Sequence, residues 1–315
     1  MTYEKLHPED PIYCMAASPR FSQDGVCFAA RSSGLVHTKD GGKSWKDAIT
    51  SLNLNESLTI TAVCLSPSFP TQKHVFVGFP GGILLSVDGG ENWQTAQAPT
   101  PPPVVTVLEA SPNYERDSCI FAGTMEDGII LSVDGGTSWH PWNFGLYDAR
   151  VMALVLSPAF AMDEVVFSAT ETGIYCSLNN GRSWNVTNFP AELAPVLCLA
   201  ISPNFNQDKT LFAGTEKYGL FKTHDGGDSW QRIGEEFIHR LVNAILISPD
   251  YPRSKELLIM GEEKLLISCD DGLTWSERPV NTPQETYLTC VIAPDGYRQG
   301  ARLLVGTQDG RVFLV

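Results

Sequence analysis

An eight-residue cassette, (Ser/Thr)-x-(Asp/Asn)-x-Gly-x-(Ser/Thr/Asn)-Trp, recurs six times along this 315-residue chain at intervals of 45–48 residues. It reads Thr38-Lys-Asp-Gly-Gly-Lys-Ser-Trp45, then Ser86 to Trp93, Ser132 to Trp139, Ser177 to Trp184, Thr223 to Trp230 and Ser268 to Trp275. A repeat of this size is one supersecondary unit that cannot bury its apolar side alone, so neighbouring units must stack into a radial or solenoid array. A second marker precedes each cassette: Ser18-Pro19, Ser66-Pro67, Ser111-Pro112, Ser157-Pro158, Ser202-Pro203, Ser248-Pro249 and the variant Ala293-Pro294. A third follows it by about ten residues, at Phe28, Phe76, Phe121, Phe167, Phe212, Leu258 and Leu304. The chain therefore holds seven units, six of which carry the cassette.

Within a unit the pattern is four short strands. The first is apolar throughout, as in Val196-Leu-Cys-Leu-Ala-Ile, which suits a strand covered on both faces. Pro then ends the ladder. A second strand such as Thr210-Leu-Phe-Ala-Gly leads through a Gly-containing turn (Thr215-Glu-Lys-Tyr-Gly219) to a third. The cassette turns the chain into a fourth, opened by Trp. In the cassette, Asp or Asn can bond loop amides, and Gly supplies positive φ. Trp brings ~150–250 Å² of apolar surface to pack on the adjoining sheet.

The expected fold is all-β: one seven-bladed β-propeller of four-stranded antiparallel blades. The blade units run roughly 11–50, 59–97, 104–143, 150–188, 195–234, 241–279 and 286–315. Because the last unit stops after its third strand, a strand at residues 2–6 is expected to complete it and close the ring.

With 22 basic against 36 acidic residues, the net charge is −14. A surface of that sign repels phosphate backbones and anionic headgroups, so nucleic acid and membrane are poor partners and a basic partner is favoured. The sequence offers no signal-like start and no apolar run of membrane-spanning length. Its eight cysteines show no ligand spacing, which points to a reduced, cytoplasmic protein. The histidines do not cluster at ligand spacing, and no metal or cofactor is expected.

The cassette resembles the Asp-box, or BNR, repeat of the sialidase-like superfamily, over residues 38–315. That superfamily includes sialidases, xyloglucan-active glycosidases, sortilin-type receptor ectodomains and photosystem II assembly/stability factors. Seven blades and this length resemble the assembly factors and many bacterial repeat proteins, whereas the xyloglucan enzymes pair two such domains. The resemblance implies that the boxes are structural and lie opposite the ligand face. On that basis Asp40, Trp45, Asp88, Trp93, Asp134, Trp139, Asn179, Trp184, Asp225, Trp230, Asp270 and Trp275 are framework residues. The sialidase Arg-Ile-Pro element is missing, and the arginines are scattered rather than gathered in a patch.

Candidate binding residues fall in the turns between second and third strands and in the connections leading into the inner strands. The turns carry Glu126, Asp127, Glu171, Glu216, Tyr218, Glu262, Glu263 and Asp309. They are either an acidic rim for a basic partner, a source of a general acid/base pair, or hairpin tips that are charged because they are wet. The connections carry Tyr147, Asp148, Arg150, His239 and Arg240, whose arginines could bind an anion at the central opening or pair with the acidic tips. Trp142 and Phe144 could stack a sugar or cover a blade. Two functions follow: a non-enzymatic module binding a protein or peptide on its acidic upper face, or a glycoside hydrolase-like or carbohydrate-binding protein.

Overall fold

The computed structural model describes residues 9–283 and 286–315. Seven antiparallel sheets follow one another along the chain, each with its strands in sequence order. Blade one, for example, consists of Ile12–Ala17, Cys27–Arg31, Gly34–Thr38 and Lys46–Asp47. Each inner strand packs on the next, and that of blade seven (Leu288–Ile292) packs on that of blade one, so the seven sheets close into a ring. The molecule is a seven-bladed β-propeller. Six blades show four strands; blade seven shows three among the described residues. The strand expected at 2–6 lies outside the described residues. Each fourth strand is only two or three residues long and begins just after the cassette Trp, which leaves little exposed edge for another chain to pair with.

The apolar core is not central but divided among the seams between blades. At the seam between blades three and four, Phe121 from the second strand of blade three meets Phe160 and Trp184 of blade four. The same arrangement gives edge-on ring pairs at Phe28–Phe69, Phe76–Tyr114, Phe121–Phe160, Phe167–Phe205 and Phe212–Tyr251, with centroids 5.5–6.5 Å apart. Such pairs add about 0.5–1.5 kcal/mol each beyond area burial. Each cassette Trp thus packs back onto the preceding blade, as expected. The cassette Gly has a second reason beyond its positive φ. A Cβ on Gly136 (φ +89°) would stand 2.5 Å from the Phe76 ring of the preceding blade.

The Ser-Pro marker does more than end a strand. In the first five blades it opens a single helical turn: Phe21–Asp24, Phe69–Gln72, Tyr114–Asp117, Phe160–Asp163 and Phe205–Asp208. In four of them the buried Ser hydroxyl donates to the Asp six residues on, at 2.6–2.7 Å (Ser18–Asp24, Ser111–Asp117, Ser157–Asp163, Ser202–Asp208). A left-handed residue then ends the turn, and its carbonyl accepts a bond from the cassette loop: Gly41 to Gly25, Gly89 to Lys73, Gly135 to Ser118, Asn180 to Glu164, Gly226 to Lys209. Two neighbouring loops are thereby fixed together, building one rigid face of the ring.

Candidate functional site

The two faces differ in how their loops spend polar groups. On the lower face the cassette carboxylates serve their own loops. Asp134 Oδ1 accepts from the Ser132 hydroxyl at 2.8 Å and from the amides of Thr137 and Ser138 at 3.1 and 2.9 Å, while Oδ2 accepts from the Ser138 hydroxyl at 2.6 Å. Desolvation is the largest single influence and would raise its carboxyl, but these bonds together outweigh it and hold the group below the usual range. At Asp40, the bonds from the Ser44 hydroxyl and amide and the Thr38 hydroxyl do the same. With both oxygens engaged, such a carboxylate has little left to offer a ligand.

The upper face carries the strand-two to strand-three turns and the connections into the inner strands. Its carboxylates are not equivalent. Glu171 pairs with Arg150 of the same blade at 2.5 Å, Glu216 with its neighbour Lys217 at 3.5 Å, and Asp309 with Arg311. Asp148 accepts from the Arg150 amide and from the amide and hydroxyl of Thr172; these bonds outweigh desolvation and keep its carboxyl acidic. Exposed Glu126 and Asp127 over blade three, and Glu262 and Glu263 over blade six, have no ion-pair partner among the described residues. The acidic rim is therefore broken into two open arcs.

Large apolar groups stand on this same face. Tyr147 is 89% exposed and Met125 50%, beside Glu126 and Asp127, while Tyr13, Met152 and Tyr287 at the starts of three inner strands are 39–43% exposed. Tyr218 and Phe237 are exposed over blades five and six. Trp142 is not among them. Its indole N–H donates to the Asn180 carbonyl of blade four at 3.0 Å, and its own carbonyl accepts from the Trp184 indole at 2.8 Å. The sugar-stacking role considered for it is given up to the seam.

Four candidates from two stretches of sequence come together in blade six. His239 and Arg240, on the incoming connection, face Glu262, Glu263 and Lys264 of the hairpin across a cleft of about 450 Å³. Its floor is apolar, from Ile238, Leu241, Ile259 and Leu266. None of these five charged or titratable side chains forms an ion pair among the described residues. No group of three or more His, Cys, Asp or Glu side chains among them is placed to hold a metal, and no described helix is long and apolar enough to cross a membrane.

Two polar features escaped the sequence reading. Lys222, on the third strand of blade five, is 4% exposed and donates to both oxygens of Asp271 in blade six, at 2.6 Å each. The Tyr251 hydroxyl also donates to Asp271, at 2.9 Å. The only signals were a Lys in an apolar strand and an Asp where other cassettes carry Gly or Asn. The second is Glu109, in the inner strand of blade three (Val105–Ala110). It is half-buried at the level where the other inner strands place residues such as Ala16, Cys64 and Val155, and desolvation pushes its carboxyl up to about 7.

No protein-family model and no curated protein matches this sequence. Solved structures share the fold. YCF48 from Cyanidioschyzon merolae is similar at 14% identity and a TM-score of 0.70, over 98% of this chain and 96% of that one. YCF48 bound to D1 peptide is similar at 16% identity and a TM-score of 0.69, over 97% and 93% of the two chains. The GH74 enzyme of Niastella koreensis is similar at 14% identity and a TM-score of 0.75; the match covers 98% of this chain but 52% of that one, so this chain spans about half the enzyme's length. At such identities the likeness is one of architecture.

Proposed function

We propose that this protein is a non-enzymatic binding module that captures a protein or peptide partner on its upper face. The observation that carries this reading is the grouping there of exposed Tyr13, Met125, Tyr147, Met152, Phe237 and Tyr287, around carboxylates that the fold leaves unspent. Aromatic and Met side chains supply contact area, and unpaired charges at their margin supply orientation. The open arc of Glu126 and Asp127 beside Tyr147 and Met125 suits a basic stretch of the partner. A similar solved propeller, YCF48, is one bound to a peptide, which makes a peptide ligand compatible with the scaffold. Of the two aromatics weighed for a carbohydrate, Trp142 is committed to a seam, while Phe144 is 79% exposed.

Site-specific photo-crosslinking in cells tests the assignment. A photoactivatable residue at Tyr147 or Met152 is expected to give a discrete adduct, and one at Val133 on the lower face is not. Equal labelling from both faces, or none from the upper one, overturns it.

A further inference from the structure

Blade six departs from its neighbours at one hydrogen bond. In blades three, four, five and seven, the first amide of the turn donates to the carbonyl that precedes the inner strand: Met125 to Val104, Glu171 to Arg150, Glu216 to Pro195 and Gln308 to Tyr287, at 2.9–3.3 Å. A Thr hydroxyl reinforces each turn by donating to its closing residue: Thr124 to Gly128, Thr170 to Gly173, Thr215 to Gly219, Thr307 to Arg311. In blade six Gly261 stands where that Thr does, so the hydroxyl bond is missing. Its amide donates to the Lys264 carbonyl at 3.0 Å, as the Thr amides do in their own turns, but the next amide, Glu262, makes no bond to the Leu241 carbonyl, and the hairpin is tied forward by the bond from the Leu288 amide to the Glu262 carbonyl at 3.0 Å. The hairpin is thus detached from its own incoming connection. The cleft is the gap that results, and the Leu241 carbonyl on its wall accepts no bond among the described residues.

We infer that this gap is a docking groove for an extended peptide of another protein, one with an apolar anchor residue flanked by an acidic and a basic residue. The inference rests on the reading of the upper face as a partner surface and names its anchor point. A peptide N–H would give the Leu241 carbonyl the acceptor role that its counterparts have in blades three, four, five and seven, since a wall carbonyl left unbonded is a cost that a ligand can remove. The anchor side chain would lie on Ile259 and Leu266, which form the floor. Complementary charge sets the flanks. Arg240 stands on one wall, whereas Arg150, on the similar connection of blade four, is taken by Glu171. Glu262 and Glu263 stand on the other wall and would face the basic residue.

The probe is a phage-displayed library of random peptides, selected on the full-length protein, with the enriched peptide then titrated by fluorescence polarisation. Gly261→Leu fills the groove without strain: a Cβ there meets its nearest neighbour, the Leu241 carbonyl oxygen, at an ordinary 3.5 Å. Binding is expected to weaken at least tenfold in Gly261→Leu and in Arg240→Ala, the scale of one charge-assisted hydrogen bond of about 1.5–3 kcal/mol. Unchanged melting temperatures show that both variants fold. If a peptide enriches but binds both variants as it binds the parent, the groove is not its site; loss of that binding on Tyr147→Ser would leave the broader reading of the face standing. If no peptide enriches over empty support, the groove inference falls, and the crosslinking result then decides the face separately.

Discussion

The pair Lys222–Asp271 should behave asymmetrically when it is broken, and the asymmetry can be worked out from its surroundings. The Lys222 ammonium is 4% exposed and lies over the rings of Phe212 and Tyr251, at 5.2 and 5.7 Å, whereas Asp271 is 29% exposed. Deleting the acid as Asp271→Gly leaves a buried cation with only ring faces for company. Removing one partner of a buried pair costs about 3–5 kcal/mol. Asp271 also sits at φ +69°, so Gly returns roughly 1 kcal/mol of backbone strain. The net loss is then about 2–4 kcal/mol. Deleting the base as Lys222→Leu leaves a carboxylate that keeps water and the Tyr251 hydroxyl, at a cost of about 1 kcal/mol. The double variant places Leu where blades two and three already carry Leu85 and Leu131, and should return close to the parent. Thermal unfolding followed by circular dichroism reads all four proteins; at ~2 °C per kcal/mol for a chain of this size, Asp271→Gly should melt roughly 4–8 °C low. Equal losses in the two single variants, or a double variant no better than Asp271→Gly, would refute the argument.

The cassette carboxylates predict acid lability. Their folded pKa values lie below the unfolded value of about 3.9, so the stability they contribute is present above that pH and lost as pH falls through the folded values. Asp134→Asn, which copies Asn179 of blade four, should shrink the drop in melting temperature between pH 7 and pH 3; an unchanged drop would count against the loop bonds as its cause. Glu109 predicts the opposite trend. With its carboxyl raised to about 7, the group costs nothing below the unfolded value of about 4.3, and folding loses on the order of 2–3 kcal/mol as pH rises from there through 7. Glu109→Gln should therefore melt higher than the parent at pH 8.5 and no higher at pH 4. Finally, Gly136→Ala drives a methyl into Phe76 and should cost about 2–4 kcal/mol by overpacking and positive φ. Adding Phe76→Leu should recover part of that loss, and strictly additive losses would show that the two residues do not meet.

Much of the ring was legible because its determinants repeat. Period, blade number and the indole that grips the preceding sheet all follow from residues that recur in register, and a mistake in one copy is corrected by the others. The helical turn after Ser-Pro recurs too, yet a single turn leaves too short a pattern for apolar periodicity to register. Its signal was the Asp six residues after Ser18, Ser111, Ser157 and Ser202. What a repeat hides is whatever breaks it. Lys222 and Asp271 belong to adjacent blades 49 positions apart, and each looks like an ordinary surface charge until the fold brings them together.

The same reasoning explains why the upper face was only half legible. Acidic tips could be counted, but their meaning depends on which cations reach them. Arg150 reaches Glu171 because a turn amide holds hairpin and connection together in blade four. Arg240 stands one position before the matching place in blade six and finds no such neighbour: Gly261 and Lys264 stand where blade three has Thr124 and Gly128, the Thr hydroxyl is missing, and the Glu262 amide makes no bond to the Leu241 carbonyl. Blades one and two also lack this bond, Pro80 of blade two having no amide to give, so what sets blade six apart is the missing bond together with an apolar cleft whose charged walls pair with nothing among the described residues.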